Sequence, residues 1–519
     1  MPESMHMIMW VMSDRAIPRS LRMMEGFGVH TFRLVDARGT ARFVKFHWKP
    51  KLGVHSVLWD EALKISGKDP DFHRRDLWEA IAAGAYPEWE LGLQVIEEAD
   101  EHKFAFDLLD PTKLVPEEQV PVERVGRLVL DRNPDNFFAE TEQVAYHPGH
   151  LVPGIEFTDD PLLQGRLFSY TDTQLTRLGG PNFHEIPINR PVAGMHNNQR
   201  DGHMRQNINV GRVAYHPNTL GGGCPMQAGR AAGGFATHPE AMDGRKVRER
   251  GEKFFDHFSQ ATLFWNSQSD PEKQHIVQAL RFELGKLEAA AVRERMVGML
   301  AQVDRTLAGQ VADGLGLAVP KLAGPLNLSV PADADPKKVQ PIALKQAVAR
   351  SEALSMAQTV KDSAATRKVA ILAADGVDQD AVGAMQRALL AAGAVSKIVA
   401  THGGSLKTGD GGALAVDFTF LTVGSVLFDA VFIPGGAPST SALAGDAAAV
   451  LFVRETYKHC KAIAATGTGL AVLEAAGVDG REVLTRREGA NGQLTSAFIK
   501  AIAQHRDWSR EAKAQTVPA

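Results

Sequence analysis

Cysteine is nearly absent from this sequence, with only Cys224 and Cys460 among 519 residues. Two cysteines exclude a disulfide framework and any Cys-rich zinc or iron–sulfur site. Long basic runs are also missing and the formal net charge is −4, so neither nucleic acid nor an anionic membrane surface is a predicted partner. There is no uncharged apolar stretch of about 18 residues and no signal-peptide pattern. Together these features predict a cytoplasmic protein that acts on a small molecule.

The first part of the chain is rich in β-forming residues. Residues 28–48 contain two runs of Val, Phe and Thr on either side of Asp36-Ala37-Arg38-Gly39, which is the pattern of a hairpin. Shorter runs of the same kind follow at 89–97 and 125–130. We therefore predict that residues 1–135 form part of an antiparallel sheet or barrel.

The middle of the chain consists of three segments that differ in composition. Residues 136–252 are rich in Pro, Gly, His and Asn, but their aromatic and aliphatic side chains favour an extended arm packed on other surfaces. Over 253–320 apolar residues return at helical spacing, which predicts two or three helices. Residues 321–366 carry several prolines among polar residues and are predicted to be a linker.

From residue 367 to 519 strand-like and helical segments alternate. The strand-like segments are Lys368–Ala373, Phe428–Ile433 and Lys461–Ala465, and a helical segment is Ala381–Ala392. Such alternation is typical of a doubly wound parallel α/β domain.

The segment Arg166–Arg177 carries the most informative chemistry. If it is helical, Arg166, Tyr170, Gln174 and Arg177 fall on one narrow face. A guanidinium one turn from a tyrosine favours the phenolate, which can bind a hard cation and is a known axial ligand of haem iron. Arg177 could pair with a carboxylate such as a haem propionate. From spacing alone, a solvated amphipathic helix is the more common explanation.

The residue types in this segment favour haem binding over a solvated amphipathic helix. R-L-F-S-Y-T-D-T-Q at 166–174 resembles the proximal haem signature of the haem catalases. FVKFHWKP, DPDFHRRDLWEAI, DRNPDNFFAE and RLGGPNFHEIPINRP also look like the catalase core. With the α/β domain appended, essentially the whole chain resembles the large-subunit (clade 2), hydroperoxidase II-like haem catalases.

This resemblance implies an α+β fold in five parts. A partial catalase-type antiparallel β-barrel (1–135) would be followed by a wrapping arm with the proximal haem helix (136–252). An α-helical domain (253–320) and a linker (321–366) would lead to a flavodoxin-like or class I glutamine-amidotransferase-like doubly wound α/β domain (367–519). The family is tetrameric, so a homotetramer is expected.

The resemblance also implies roles for individual residues around haem b or haem d. Tyr170 would be the proximal iron ligand and Arg166 the partner that keeps it ionised. Arg177 would contact a propionate, and Gln174 stands where small-subunit members usually have histidine. The implied activity is decomposition of hydrogen peroxide to water and oxygen, in defence against oxidative stress.

Two further positions follow from the same comparison. Tyr146 would lie near the haem plane. His147 matches a histidine that some large-subunit enzymes join covalently to the β-carbon of the proximal tyrosine, although a plain turn histidine is an equal alternative. His47 matches a position that binds a nicotinamide cofactor in small-subunit relatives, but no such cofactor is predicted here.

The family carries a distal histidine and asparagine upstream of the MWVMSDR segment, where they move a proton and position the peroxide. In this sequence that segment begins at Met9. The only preceding histidine is His6, which lacks the family context. The sequence is therefore expected to be a fragment or mis-started reading of a full catalase. The alternative is a truncated, catalytically inactive haem-binding or structural remnant.

The C-terminal segment Lys461–Leu473 resembles the nucleophile elbow of intracellular-protease-like and glutamine-amidotransferase-like domains. Gly467 stands where those proteins have cysteine, and Cys460 precedes the strand. We predict that this domain is catalytically silent and serves packing and stability. The remaining histidines lack metal-ligand spacing and are predicted to be structural; they include His184, His196, His203 and His257.

Overall fold

The computed structural model describes residues 1–519 except 193–196, 226–227, 241–244, 246, 248, 322–323, 329, 331 and 488–491. His196 therefore lies outside the described residues. Within the described part, no helix combines the length and the apolar character needed to cross a bilayer.

The N-terminal region contains an antiparallel sheet with the order β5-β4-β3-β2-β6, while β1 also pairs with β3. Its strands are β1 (Gly26–Phe27), β2 (Phe32–Val35), β3 (Ala41–Pro50), β4 (Glu88–Glu97), β5 (Glu123–Val129) and β6 (Ile155–Glu156). The predicted hairpin over 28–48 is confirmed, with Phe32 opposite Val44 and Val35 opposite Ala41. Strand β6 comes from the segment predicted to be an arm, so the sheet continues past residue 135.

The register between β4 and β5 shifts at Leu91 and Gly92. A Cβ atom at Gly92 would lie 2.3 Å from Val122 Cγ1, so only glycine fits there without movement of its neighbour. A bulge of this kind increases the local twist of a strand pair. The helices of this region are α1 (Met5–Val11), α2 (Trp59–Lys68) and α3 (Phe72–Ala82), followed by α4 (Pro161–Arg177) in the arm.

A helical region follows the arm and has more helices than the two or three predicted. It contains α5 (Ser259–Ser267), α6 (Asp270–Gly285), α7 (Ala290–Val303) and α8 (Arg305–Leu315). The apolar spacing looked continuous because the breaks between helices are short. A capping box formed by Ser269 and Glu272 starts α6, and the Asp304 side chain caps α8. Helix α1 joins this core, since Met5 and Met9 are fully buried in the same cluster as Phe264.

The C-terminal region is a parallel sheet with the order β11-β8-β7-β12-β13-β14. Its strands are β7 (Lys368–Ala373), β8 (Val395–Ala400), β11 (Phe418–Thr419), β12 (Ala430–Ile433), β13 (Ala462–Thr466) and β14 (Leu484–Arg486). A small antiparallel pair is β9 (Ser405–Lys407) and β10 (Ala413–Ala415). The helices are α9 (Gln379–Ala391), α10 (Ala437–Gly445), α11 (Ala447–Lys458), α12 (Leu470–Ala475), α13 (Gly492–Ala503) and α14 (Glu511–Ala514).

Both faces of this sheet are covered, as the alternating strands and helices predicted. Successive residues of one strand point to opposite faces of the sheet, so Val431 and Phe432 lie in different cores. One core includes residues of α10, α11 and α12, and the other includes residues of α9 and α13. The region is therefore a doubly wound parallel α/β domain.

The predicted linker packs closely on its neighbours in its second half. Leu354 is buried in the helical core, and Arg15 Nη2 donates to Ala353 O at 2.8 Å. Thr359 Oγ1 accepts from Val54 N at 2.6 Å. This stretch is therefore fastened to the N-terminal region and to the helical core.

Buried charges join the N-terminal region to the C-terminal domain. We call them the junction cluster, and its members are Arg19, Arg22, Glu61, Asp76, Arg367, Asp429, Lys461 and Arg506. Arg19 Nε lies 2.5 Å from Asp429 Oδ1, and Lys461 Nζ lies 2.6 Å from Glu61 Oε1. Burial opposes the charge on Asp429, but Arg19 and Arg367 outweigh it and hold the pKa of that carboxyl far below its usual range.

Candidate functional site

Helix α4 is fixed to the sheet at its N-terminus. Asp160 Oδ1 accepts from the amides of Leu162 and Leu163 at 2.8 and 3.2 Å, which caps the helix. The second oxygen of Asp160 is hydrogen-bonded to His30 Nδ1. Burial raises the pKa of Asp160, but these hydrogen bonds outweigh burial and lower it. The sequence analysis did not single out Asp160, although Asp followed by Pro161 is a helix-start signal.

The predicted helix over Arg166–Arg177 is confirmed as the C-terminal part of α4. Arg166 Nη2 donates to the Tyr170 hydroxyl oxygen at 2.5 Å. The Arg166 guanidinium carbon also lies 4.7 Å from the centroid of the Tyr170 ring. A cation that donates to a phenolic oxygen favours the anionic form of that oxygen. Arg166 and Tyr170 therefore form one hydrogen-bonded pair on the face of α4.

Gln174 and Arg177 lie on the same side of α4 and hold the preceding loop. Arg177 donates to Glu142 O at 2.8 Å, to Val144 O at 2.6 Å and to Gln174 Oε1 at 2.6 Å. Gln174 Nε2 donates to Tyr146 O at 3.3 Å. In this structure Arg177 thus contacts two carbonyls and an amide, whereas the sequence predicted a carboxylate partner.

His147 lies beside Tyr170, the residue to which the family resemblance would link it. The rings of His147 and Tyr170 meet edge to face with centroids 6.2 Å apart. His147 Nε2 donates to Leu167 O at 3.0 Å, and Nδ1 accepts from Gly149 N at 2.8 Å. Both ring nitrogens are therefore used in hydrogen bonds to the local backbone.

Most of α4 faces away from the rest of the chain. Leu163 and Gln174 are its buried residues, whereas Phe168 is 77% exposed. Tyr146, in the loop that α4 holds, is 75% exposed. The loop of Tyr146 is held by Gln174 and Arg177, on the helix face that also carries Arg166 and Tyr170. An exposed aromatic ring, a phenol and a guanidinium on one side of the helix fit a flat, largely apolar group that carries a metal ion. These residues are therefore suitable for holding haem.

His47 lies in the sheet and lines a different cavity, of about 290 Å³, together with Trp10, Phe27 and Lys113. Its Nε2 donates to Gln94 Oε1 at 2.8 Å. Burial lowers the pKa of His47. Within the described residues, no group of three or more His, Cys, Asp or Glu side chains is arranged to hold a metal ion.

The elbow of the C-terminal domain has the predicted form of a strand, a tight turn and a helix. Strand β13 ends at Thr466, a turn spans Gly467–Gly469, and α12 follows. Gly467 has a φ of +55°, a conformation that favours glycine. Cys460 is fully buried before β13, and burial raises the pKa of its thiol to about 12. Its thiol is therefore protonated at neutral pH.

Comparison with family profiles identifies three consecutive parts of the chain. The profile described as catalase matches residues 1–222. A profile described as catalase-related immune-responsive matches residues 251–315. The profile for the C-terminal domain found in long catalases matches residues 365–512.

Known catalases match along the full length of this chain. Catalase HPII of Pseudomonas putida is 53% identical over 100% of this chain and 70% of its own length. Catalase-2 of Bacillus subtilis is 52% identical over 98% of this chain and 71% of its own length. Catalase-B of Dictyostelium discoideum is 45% identical over 100% of this chain and 73% of its own length. The chain therefore belongs to the catalase family, in its large-subunit clade.

Proposed function

We propose that this catalase binds haem against α4, with the Tyr170 phenolate as the axial ligand of the iron. The chain is a haem catalase, and its reaction is the decomposition of hydrogen peroxide to water and oxygen. The observation that supports the ligand assignment is the 2.5 Å hydrogen bond from Arg166 to the Tyr170 oxygen. None of the findings favours the alternative of an inactive haem-binding or structural remnant.

The side chains of this site have separable tasks. Haem, when bound, would supply the redox chemistry of the reaction. Arg166 stabilises negative charge on the Tyr170 oxygen, so the tyrosine can act as an anionic ligand. Gln174 and Arg177 keep the loop that carries Tyr146 in place, and Tyr146 would then lie beside the plane of the group. If Arg177 also reaches a propionate, it does so through a rearrangement of its carbonyl contacts.

His147 is proposed as the partner of Tyr170 in a covalent link to the β-carbon of the tyrosine. Forming this link would remove one hydrogen from the β-carbon and one proton from the imidazole, a two-electron oxidation in which hydrogen peroxide would be reduced to two molecules of water. The edge-to-face contact of the two rings supports this assignment. One ring nitrogen would have to give up its present hydrogen bond, to Leu167 or to Gly149. Mass spectrometry of the peptide containing Tyr170 tests for this link, and the absorption spectrum of the extracted haem distinguishes haem b from haem d.

The remaining assignments concern the whole protein. We propose a homotetramer in the cytoplasm, with the five parts bounded at residues 135, 252, 320 and 366. The parallel sheet of the C-terminal domain supports its assignment as flavodoxin-like or class I glutamine-amidotransferase-like. Gly467 at the elbow and the buried Cys460 support a silent domain that serves packing and stability. Amidase or deglycase activity of this domain would contradict that assignment.

The experiment is to purify this chain after expression with added haem and to record its visible spectrum and its oxygen release from hydrogen peroxide. We expect a ferric tyrosinate spectrum and rapid oxygen release. Tyr170→Phe should lose both, because phenylalanine has the same ring and no oxygen. Tyr86→Phe is the matched control, since Tyr86 is exposed and lies outside α4.

Two outcomes would contradict the proposal. An unchanged spectrum in Tyr170→Phe would mean that another residue is the iron ligand. Haem binding without oxygen release by the wild-type chain would mean that these residues bind haem but do not perform the reaction alone.

A further inference from the structure

A second cleft lies in the C-terminal domain, far along the sequence from α4. Its volume is about 450 Å³, which is enough for a small ligand. It lies at the amino-terminal ends of β13 and β14, whereas the elbow lies at the carboxyl end of β13. The side chains that matter are Arg481, Ala501, Gln504, Arg506, Trp508 and Arg510.

Arg510 is the unusual residue of this cleft. It is 8% exposed, and no carboxylate lies within ion-pair distance of it among the described residues. Its two terminal nitrogens donate to the carbonyls of Lys461 and Glu482, and its Nε has no hydrogen-bond partner in the described part of the chain. Burying a charge without a counter-charge is costly. The guanidinium also lies over the Tyr457 ring, 5.0 Å from its centroid. Arg510 is therefore a buried cation that contacts carbonyls and an aromatic face but, among the described residues, pairs with no carboxylate.

Arg506 adds to the positive charge. Its Nη2 lies 3.0 Å from Glu61 Oε2, but Glu61 also holds Lys461 Nζ at 2.6 Å, so one carboxylate serves two cations. Its Nε, like that of Arg510, is buried without a partner among the described residues.

The acidic residues of the cleft are already engaged. Glu482 is paired with Lys513 and with the hydroxyl of Tyr457. Asp507 Oδ1 accepts from the amide and hydroxyl of Ser509 at 3.2 and 2.5 Å. The cleft therefore has enough volume for a small anion and more cationic than acidic side chains in its lining. The Nε–H groups of Arg506 and Arg510 also have no hydrogen-bond acceptor among the described residues.

We propose that this cleft binds a small tetrahedral oxoanion, with phosphate as the probe, between Arg506 and Arg510. Guanidinium groups bind such anions through charge-assisted hydrogen bonds. Arg481 is exposed at the same cleft and pairs with Asp479, so it can approach a bound anion from the solvent side. The site is independent of haem and of peroxide.

Binding here has a structural consequence because the segment 504–511 also fastens the domain to the rest of the chain. His505 Nε2 donates to Ser56 O at 2.5 Å. Glu511 lies 2.7 Å from His275 of helix α6. An anion that fixes Arg506 and Arg510 therefore stabilises the same segment that makes these contacts, and the folded protein gains stability by mass action.

The test is calorimetric titration of the full chain with phosphate, together with thermal unfolding in phosphate and in sodium chloride of equal ionic strength. We expect saturable binding at a single site and a rise in the unfolding temperature with phosphate that chloride does not reproduce. Arg510→Gln should weaken phosphate binding about tenfold or more, as expected for the loss of one charge-assisted hydrogen bond.

A second pair of variants keeps both arginines and so does not depend on their role in folding. Ala501 lines the cleft from α13 and is partly exposed. Ala501→Glu would place a carboxylate in the cleft, so it should abolish phosphate binding and raise the unfolding temperature without phosphate. Ala501→Gln has the same size without the charge and should still bind phosphate. No saturable binding to the wild type, or equal binding by Ala501→Glu and Ala501→Gln, would overturn the proposal.

Discussion

Two regions of this molecule gather charged and polar side chains, and they differ in burial. On α4, Arg166 and Tyr170 remain partly exposed, and the loop residue Tyr146 is 75% exposed. In the junction cluster, Arg19 and Asp429 are each 3% exposed. The lowered pKa of Asp429 accompanies its burial among charges that hold two parts of the chain together. Perturbed ionisation therefore marks a structural contact here, whereas the proposed reactive site is the open one.

The largest effect should come from removing one charge of the junction cluster. Asp429→Asn keeps the size of the side chain but removes the counter-charge of Arg367 and leaves Arg19 with only its longer contact to Asp76, at 3.5 Å. We expect the free energy of unfolding to fall by about 3–5 kcal/mol, the usual cost of breaking a buried ion pair. Urea unfolding measures this. Glu97→Gln, at the exposed pair with Arg42, is the control and should cost less than about 1 kcal/mol. Equal losses of unfolding free energy in the two variants would contradict the expected difference between the buried and the exposed ion pair.

At the partly exposed site on α4, Arg166→Gln should lower the catalytic activity more than the stability of the protein. Without the guanidinium, negative charge on the Tyr170 oxygen loses its hydrogen-bonded partner. We expect oxygen release to fall by about a hundredfold, the order found when one preorganised donor to a developing charge is lost. The unfolding midpoint should hardly move because Arg166 is partly exposed. Arg74→Gln, at an exposed arginine of α3, serves as the control. A large loss of stability in Arg166→Gln would show that α4 is also held by this pair.

A smaller effect should appear in the pH dependence of stability. Burial opposes the charge on His275, but Asp14 and Glu511 overcome it and raise the pKa of this imidazole to about 10. The unfolded state binds this proton with a pKa of about 6.5. The stabilisation is therefore complete below about pH 6.5 and is lost as the pH rises towards 10.

Unfolding in urea at pH 7 and pH 9 tests this expectation. The wild type should lose about 2–3 kcal/mol over that interval, and His275→Gln should lose less. His402→Gln is the control, since His402 is an exposed residue of the C-terminal domain. The same slope in the wild type and in His275→Gln would show that this contact does not control the pH dependence.

The smallest effect concerns the two cysteines. Cys224 is exposed, whereas Cys460 is fully buried and its pKa is raised to about 12. An alkylating reagent at neutral pH should label Cys224 and leave Cys460 unmodified in the folded protein. Cys460→Ala should cost about 1 kcal/mol, because it removes a small buried side chain. Labelling of both cysteines at equal rates would show that the C-terminal domain opens readily.

Much of the fold could be predicted because its signals are local. The hairpin over 28–48, the helix that carries Tyr170, and the alternating strands of the C-terminal domain follow from periodicity and turn residues. Other features could not be predicted. The breaks between α5, α6, α7 and α8 are too short to interrupt the apolar pattern, and β6 is a two-residue strand that forms only because β2 is beside it.

The candidate site likewise has contacts that could be predicted from the sequence and contacts that could not. The spacing and identity of Arg166 and Tyr170 are sufficient to predict that they meet, because residues four apart on a helix are neighbours. The actual partners of Arg177 are the carbonyls of Glu142 and Val144, and these come from a loop whose path no pattern predicts.

The sequence by itself determined the family, the α/β character of the last third of the chain and the tyrosine that faces the iron in our proposal. Only the tertiary structure decided that Asp160 connects α4 to His30 and that Asp14 and Glu511 meet at His275. It also decided that Arg510 is buried and, among the described residues, pairs with no carboxylate. The physical reason is distance along the chain. Helical spacing and turns depend on neighbouring residues, whereas a buried charge depends on partners that only folding brings together.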